Sequence, residues 1–191
     1  MSDVAGLLLA AGAGSRFGGP KARVQLEGRT LLERGVALLR AGGCEPIVVV
    51  LGADLDVVAA GARTVHAADW ADGLGASLRA GLAALSDTDV RACIVTLVDQ
   101  PLVGAQAVRR LVALPGDPPA AIATYAGATG HPVLLSRSIW ADVADLATGD
   151  VGARRWLDTH RDQVTAVACD DTGSPQDIDT AEDLAAVRAL L

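Results

Sequence analysis

Leu7-Leu8-Leu9-Ala10-Ala11-Gly12-Ala13-Gly14-Ser15-Arg16-Phe17-Gly18-Gly19-Pro20-Lys21 decides the fold, because an apolar run passes directly into a glycine-rich loop carrying two cations. Residues 5–9 read as a strand covered on both faces, since no polar side chain interrupts them. Gly12, Gly14, Gly18 and Gly19 let the following backbone bend tightly and bring its N–H groups close to a ligand. Arg16 adds a planar donor fork and Lys21 a point charge. Amides and two cations after a buried strand suit a triphosphate; the alternative is a glycine-rich turn with two solvated surface cations.

Two familiar phosphate loops do not match. Lys21 is followed by Ala22, not by the Ser or Thr of a Walker A loop. Gly12-Ala13-Gly14 with Gly18 is one residue too long for the dinucleotide fingerprint, and no acidic residue stands where a ribose ligand belongs.

Outward from the loop, short apolar runs alternate with helical patterns. Thr30-Leu31-Leu32-Glu33 is a capping box and Gly42-Gly43 a stop, which together predict a helix over 31–41. Strands are expected at 47–51, 64–66, 94–98, 120–125, 133–135 and 164–168. Helices are expected at 55–60, 76–85, 105–114, 138–146, 151–160 and 181–191. Repeated strand–helix–strand order with doubly covered strands predicts an α/β, three-layer sandwich: a mostly parallel, Rossmann-like sheet with helices on both faces. Ligands of such sheets sit beyond the carboxyl ends of the strands.

Composition narrows the function. The chain has 191 residues, 51 % hydrophobic and 20 % charged, which fits one globular domain. A net charge of −7 and only 3 % aromatic residues argue against a nucleic-acid partner. No run is long enough for a membrane span and no signal peptide is evident, so a cytoplasmic protein without a membrane partner is expected. Cys44, Cys93 and Cys169 lack metal-ligand spacing, and Cys44 and Cys93 read as core thiols of a reducing compartment.

The motifs resemble one family. LAAGAGSRFGGPK at 9–21 is similar to the signature loop of the MobA-like nucleotidyltransferase superfamily. WADGLGASLRAGL at 70–82 resembles its second nucleotide-binding segment, and Asp99-Gln100-Pro101 stands where the family has its metal-binding Asp. GHPVL at 130–134, GDVGAR at 149–154 and DIDTAED at 177–183 resemble one branch, the molybdenum cofactor cytidylyltransferases. The fold implied is the nucleotide-diphospho-sugar transferase type, a single domain with a nucleotide-binding half at 1–104 and an acceptor-binding half at 105–191.

The resemblance assigns roles residue by residue. Arg16, Lys21 and Asp99 carry the catalysis, and Leu9, Ala10, Ala11, Gly12, Gly14, Asp72 and Ser77 bind the nucleotide. Asp99 and Asp179 hold Mg²⁺, which suits a carboxylate at a strand's carboxyl end. Asp99 also fits a plain turn, and Asp179, just before Thr180-x-x-Asp183, also fits a helix N-cap. Asp72 and Ser77 have helix capping as their alternative. His131 and Arg154 contact the acceptor; their alternatives are a structural imidazole and a surface ion pair with Asp150. His66, His160, Trp140 and Trp156 read as packing or surface residues.

The reaction implied moves CMP from CTP to a molybdopterin-type acceptor with release of pyrophosphate, the product serving a molybdenum hydroxylase. Ala11 stands where the family's guanylyltransferases carry Gly, and its methyl group narrows the base pocket toward a pyrimidine. Three other readings stay open: another NTP and another phosphorylated acceptor, an NAD(P)H-dependent oxidoreductase, and an accessory protein that carries the cofactor.

Overall fold

The computed structural model describes residues 3–191. Its elements in chain order are β1 (Val4–Ala10), β2 (Gln25–Leu26), β3 (Arg29–Thr30), α1 (Leu31–Ala41), β4 (Ile47–Leu51), β5 (Arg63–His66) and α2 (Leu74–Leu85). They continue with β6 (Ala92–Leu97), α3 (Ala105–Val112), β7 (Ala120–Tyr125), β8 (Ala128–Ser136), α4 (Trp140–Leu146), α5 (Arg154–Thr159), β9 (Val164–Ala168) and α6 (Ala181–Arg188).

Seven strands form one sheet in the order β5-β4-β1-β6-β8-β7-β9. All pairings are parallel except those of β8, which runs antiparallel to β6 and β7. β1 lies inside the sheet between β4 and β6, and every residue in it is buried, so it needs cover on both faces. Its side chains alternate. Val4, Leu8 and Ala10 join the core under α1, α3 and α6, whereas Ala5, Leu7 and Leu9 join the core under α2, α4 and α5. The helices sit close to the sheet through small residues. A Cβ on Gly81 of α2 would stand 2.4 Å from Leu7 Cδ1, and one on Gly35 of α1 would stand 2.7 Å from Leu8 Cδ2.

Local signals agree with the result. Thr30 caps α1 through the reciprocal Thr30–Glu33 box, and Gly43 follows its end with φ +93. The β2–β3 turn places Glu27 (φ 51) and Gly28 (φ 74) in left-handed backbone, as a tight hairpin requires.

One predicted element is absent. The chain over 54–59 forms no helix; Leu55 and Val58 are 56 % and 82 % exposed. Asp54 Oδ1 accepts from the Asp56 amide at 3.2 Å and from Arg23 Nη2 at 2.8 Å, so the side chain ties the backbone into a turn. Only Val57 and Ala59 of this short segment turn to the core, an i, i+2 spacing that does not make a helical face, so little burial offsets helix nucleation. The helix expected over 151–160 also divides, because Gly152 (φ 50) separates the turn Gly149–Val151 from α5. β8 is longer than 133–135, and the last helix ends at Arg188. No helix among the described residues is long and apolar enough to cross a membrane.

In register, Leu9 of β1 lies opposite Val50 of β4 and Leu97 of β6. The carboxyl ends of three parallel strands therefore finish side by side, and the loops after them share one edge. Val98 N donates to Leu9 O and Ala53 N to Ala11 O, both at 3.1 Å, which holds those loops together.

Candidate active site

The glycine loop after β1 closes on itself. The amides of Phe17, Gly18 and Gly19 all donate to Gly14 O at 2.9, 2.9 and 3.1 Å, so these three are consumed within the loop. Gly14 (φ 61) is required there, since a Cβ would stand 1.9 Å from Gly19 O. Among the described residues the amides of residues 12–16 have no protein acceptor, and these residues line a cleft of about 460 Å³. Leu9, Ala10, Ala11, Gly12, Gly14, Arg16, Lys21, Ser77, Asp99 and Asp179 all border this cleft.

At one end of the cleft the charges meet. Lys21 Nζ donates to Asp99 Oδ2 at 2.9 Å and to Asp179 Oδ1 at 2.5 Å, while Arg16 Nη2 reaches Asp179 Oδ2 at 3.0 Å. Burial lowers the Lys21 pKa, but its bonds to Asp179 and Asp99 more than offset this and hold it above the ordinary lysine value. The Lys21 bond holds the Asp179 carboxyl below the usual carboxylate range. The 175–179 loop is fastened to the end of β6 at two points: Ile178 N donates to Asp99 O at 2.8 Å, and Gln100 Nε2 donates to Asp177 Oδ1 at 2.7 Å. Capping does not use Asp179. Thr180 is the N-cap of α6 and Asp183 completes the box, leaving the Asp179 carboxylate turned to Lys21 and Arg16.

The residues suit a divalent cation. Asp99 and Asp179 converge on one point, and Asp99 Oδ1 is buried without a hydrogen-bond partner. No cluster of three or more His, Cys, Asp or Glu side chains stands among the described residues. Two carboxylates, with phosphate oxygens and water completing the shell, is the way magnesium is commonly held.

Away from that charged end the cleft wall is formed by Trp70, Ala71, Gly73, Leu74 and Ser77, with Ser77 only 4 % exposed, and one carboxylate, Asp150, borders it as well. The Trp70 ring packs on Gly52, where a Cβ would stand 2.5 Å from its Cγ. Asp72 does not border the cleft; it ends the short turn Trp70–Asp72, and Gly73, not Asp72, is the N-cap of α2. Trp70, the first residue of the 70–82 motif, borders the cleft in addition to the residues expected there; its place at the head of that motif is the sequence signal for it.

Beside the cleft lies a cavity of about 740 Å³ that shares Leu74, Leu97 and Asp150 with it. His131 and Arg154 line this cavity, together with Gln100 and Asp177. Burial lowers the His131 pKa to about 4, with Arg154 acting in the same sense and Asp99 opposing, so the imidazole is neutral at pH 7. Burial raises the pKa of Asp177. Among the described residues no ion pair joins Asp150 to Arg154. Trp140 and Trp156 are core residues, and Trp156 stacks on His160 at 4.4 Å. Cys44, Cys93 and Cys169 are buried free thiols, with burial pushing Cys44 up to about 12.

Comparison with known proteins gives the family and the fold. Over 95 % of its length the chain is 37 % identical to a nicotine blue oxidoreductase of Paenarthrobacter nicotinovorans, covering 94 % of that protein. Over 54 % of its length it is 36 % identical to a probable molybdenum cofactor guanylyltransferase of Opitutus terrae, covering 52 % of that protein. The fold superposes on a manganese complex of Rv0371c from Mycobacterium tuberculosis with a TM-score of 0.83 at 26 % identity, over 98 % of this chain and 99 % of the other. The MobA-like NTP transferase domain model matches residues 6–164, and the chain belongs to that family.

Proposed function

We propose that this protein transfers CMP from CTP to a molybdopterin-type acceptor and releases pyrophosphate. One observation carries the reading: the cations Lys21 and Arg16 and the carboxylates Asp99 and Asp179 gather at one end of a cleft that shares a wall with a second cavity. An acceptor phosphate oxygen attacks the α-phosphorus, a new P–O bond forms, and the bond to the β-phosphate breaks. The nucleophile is already ionised, so no general base is needed; alignment and charge stabilisation are the protein's tasks.

Lys21 and Arg16 offset the charge that gathers on the leaving pyrophosphate. Asp99 and Asp179 would hold Mg²⁺, which would neutralise phosphate charge, and the manganese complex of the structural relative supports a divalent ion. Neutral His131 offers a hydrogen bond to the acceptor without adding charge, and Arg154 anchors an anionic group of the acceptor. Ala11 and the wall at Trp70, Leu74 and Ser77 take the base and ribose. A molybdenum hydroxylase would use the resulting dinucleotide cofactor.

A second reading, an oxidoreductase using NAD(P)H in the same trough, is favoured by the 37 % identity to the nicotine blue oxidoreductase. One protein preparation decides between them. Pyrophosphate release is measured with each of four NTPs against molybdopterin and common sugar phosphates, and NADPH binding is titrated in parallel. CTP- and molybdopterin-dependent release supports the transferase; saturable NADPH binding with no release from any NTP overturns it.

A further inference from the structure

We propose that Asp150 accepts hydrogen bonds from the ribose hydroxyls of the bound nucleotide, making the site selective for ribonucleotides; this rests on the nucleotide-binding reading above. Asp150 comes from the turn Gly149–Val151, between Gly149 at φ 51 and Gly152 at φ 50. The turn is pressed onto the start of α2: a Cβ on Gly73 would stand 2.5 Å from Asp150 Oδ1 and 2.7 Å from Gly149 O. The carboxylate therefore lies across Gly73, and it lines both the nucleotide cleft and the neighbouring cavity.

Its charge environment separates it from the other acidic groups of the cleft. Asp99 and Asp179 are compensated by Lys21 and Arg16. Asp150 has no hydrogen bond or ion pair to another described residue, although Arg154 and Arg155 follow closely in the chain. An uncompensated carboxylate repels a triphosphate, so the part of the nucleotide beside it must be uncharged. Its contact, Gly73, belongs to the uncharged wall with Trp70, Leu74 and Ser77. Of the uncharged parts of a nucleotide, the ribose presents two adjacent O–H donors that one acceptor-only carboxylate can take together.

The test is calorimetric titration of the wild-type protein, Asp150→Asn and Asp150→Ala with CTP, GTP and their 2′-deoxy and 3′-deoxy counterparts, with Mg²⁺ or Mn²⁺ present. The wild type is expected to hold a ribonucleotide about tenfold more tightly than at least one deoxy counterpart, the lower end for a hydrogen bond to a charged group. Asp150→Ala should abolish that preference and Asp150→Asn, which keeps one acceptor oxygen, should retain part of it. Because Asp150 is exposed, unchanged thermal melting should accompany both substitutions. A ribose preference that is absent from the wild type, or undiminished in Asp150→Ala, overturns the inference alone. Failure of the wild type to bind any triphosphate with either metal overturns the proposed function as well.

Discussion

Lys21 Nζ and Asp179 Oδ1 stand 2.5 Å apart although 158 positions separate them in the chain, and the same ammonium reaches Asp99 Oδ2 at 2.9 Å. The Lys21 side chain is only 13 % exposed, so this contact is shielded from solvent far more than a surface ion pair. It joins the glycine-rich loop after β1, the end of β6 and the segment before α6 in one charged point.

Lys21→Ala should leave the protein folded and reduce pyrophosphate release by about 10²–10³, by analogy with the loss of one transition-state donor. The deletion leaves Asp99 and Asp179 facing a site without their shared cation. Single-turnover rates with a melting curve on the same sample measure both effects. Near-normal turnover would remove Lys21 from the reaction.

Asp99→Asn should weaken metal-dependent triphosphate binding more than it weakens the fold. The amide keeps the shape of the turn, and the backbone bond from Ile178 N to Asp99 O does not involve the side chain. The substitution removes the charge shared by both carboxylate oxygens, one of which, Oδ1, is buried with no protein partner. Titration with Mg²⁺ and a nonhydrolysable triphosphate reads the change; equal affinity in the two proteins would reduce Asp99 to a turn residue.

Acid should destabilise the protein through His131. Its folded pKa, depressed to about 4, lies below the ordinary value of about 6.5, so the unfolded chain binds the extra proton between those limits. Stability is therefore lost as pH falls from about 6.5 toward 4, by up to about 2–3 kcal/mol. Asp179 adds a loss at lower pH, as pH falls from the ordinary carboxylate value through its depressed one. Urea unfolding at pH 7 and pH 4.5 should show a smaller loss for His131→Gln than for the wild type. Equal losses would mean that the imidazole titrates normally.

Ala11→Gly should raise kcat/KM with GTP relative to CTP. Ala11 borders the cleft and is 4 % exposed, packed in the core layer beside Trp70 and Leu74. One methyl-sized contact is worth about 1–3 kcal/mol, or roughly 10–200-fold, so preference should shift without full reversal. Steady-state kinetics with both nucleotides on one preparation decides it. An unchanged ratio would show that Ala11 does not select the base.

Much of the fold is legible in local chemistry. The unbroken apolar run before Gly12 marks β1, and Thr30–Glu33 and Thr180–Asp183 mark helix starts that the structure reproduces as complete capping boxes. These signals act over a few residues, through hydrogen bonds and burial that do not depend on distant partners. The same locality misleads at 55–60, where Leu55 and Val58 of the helical pattern stay exposed while Val57 and Ala59 meet the core, and at Gly152, where one residue's backbone freedom divides a helix.

From the sequence alone came the loop that follows β1, the residues of opposite charge available to it, and the family resemblance that the domain match bears out. Only the tertiary structure decided that Lys21 lies between Asp99 and Asp179, that Asp72 stays outside the cleft while Trp70 enters it, and that Asp150 leans on Gly73 without pairing with Arg154. Chain-local propensities specify where strands and helices begin. Which side chains meet is set by the parallel register of β1, β4 and β6, which brings loops distant in sequence to one edge of the sheet.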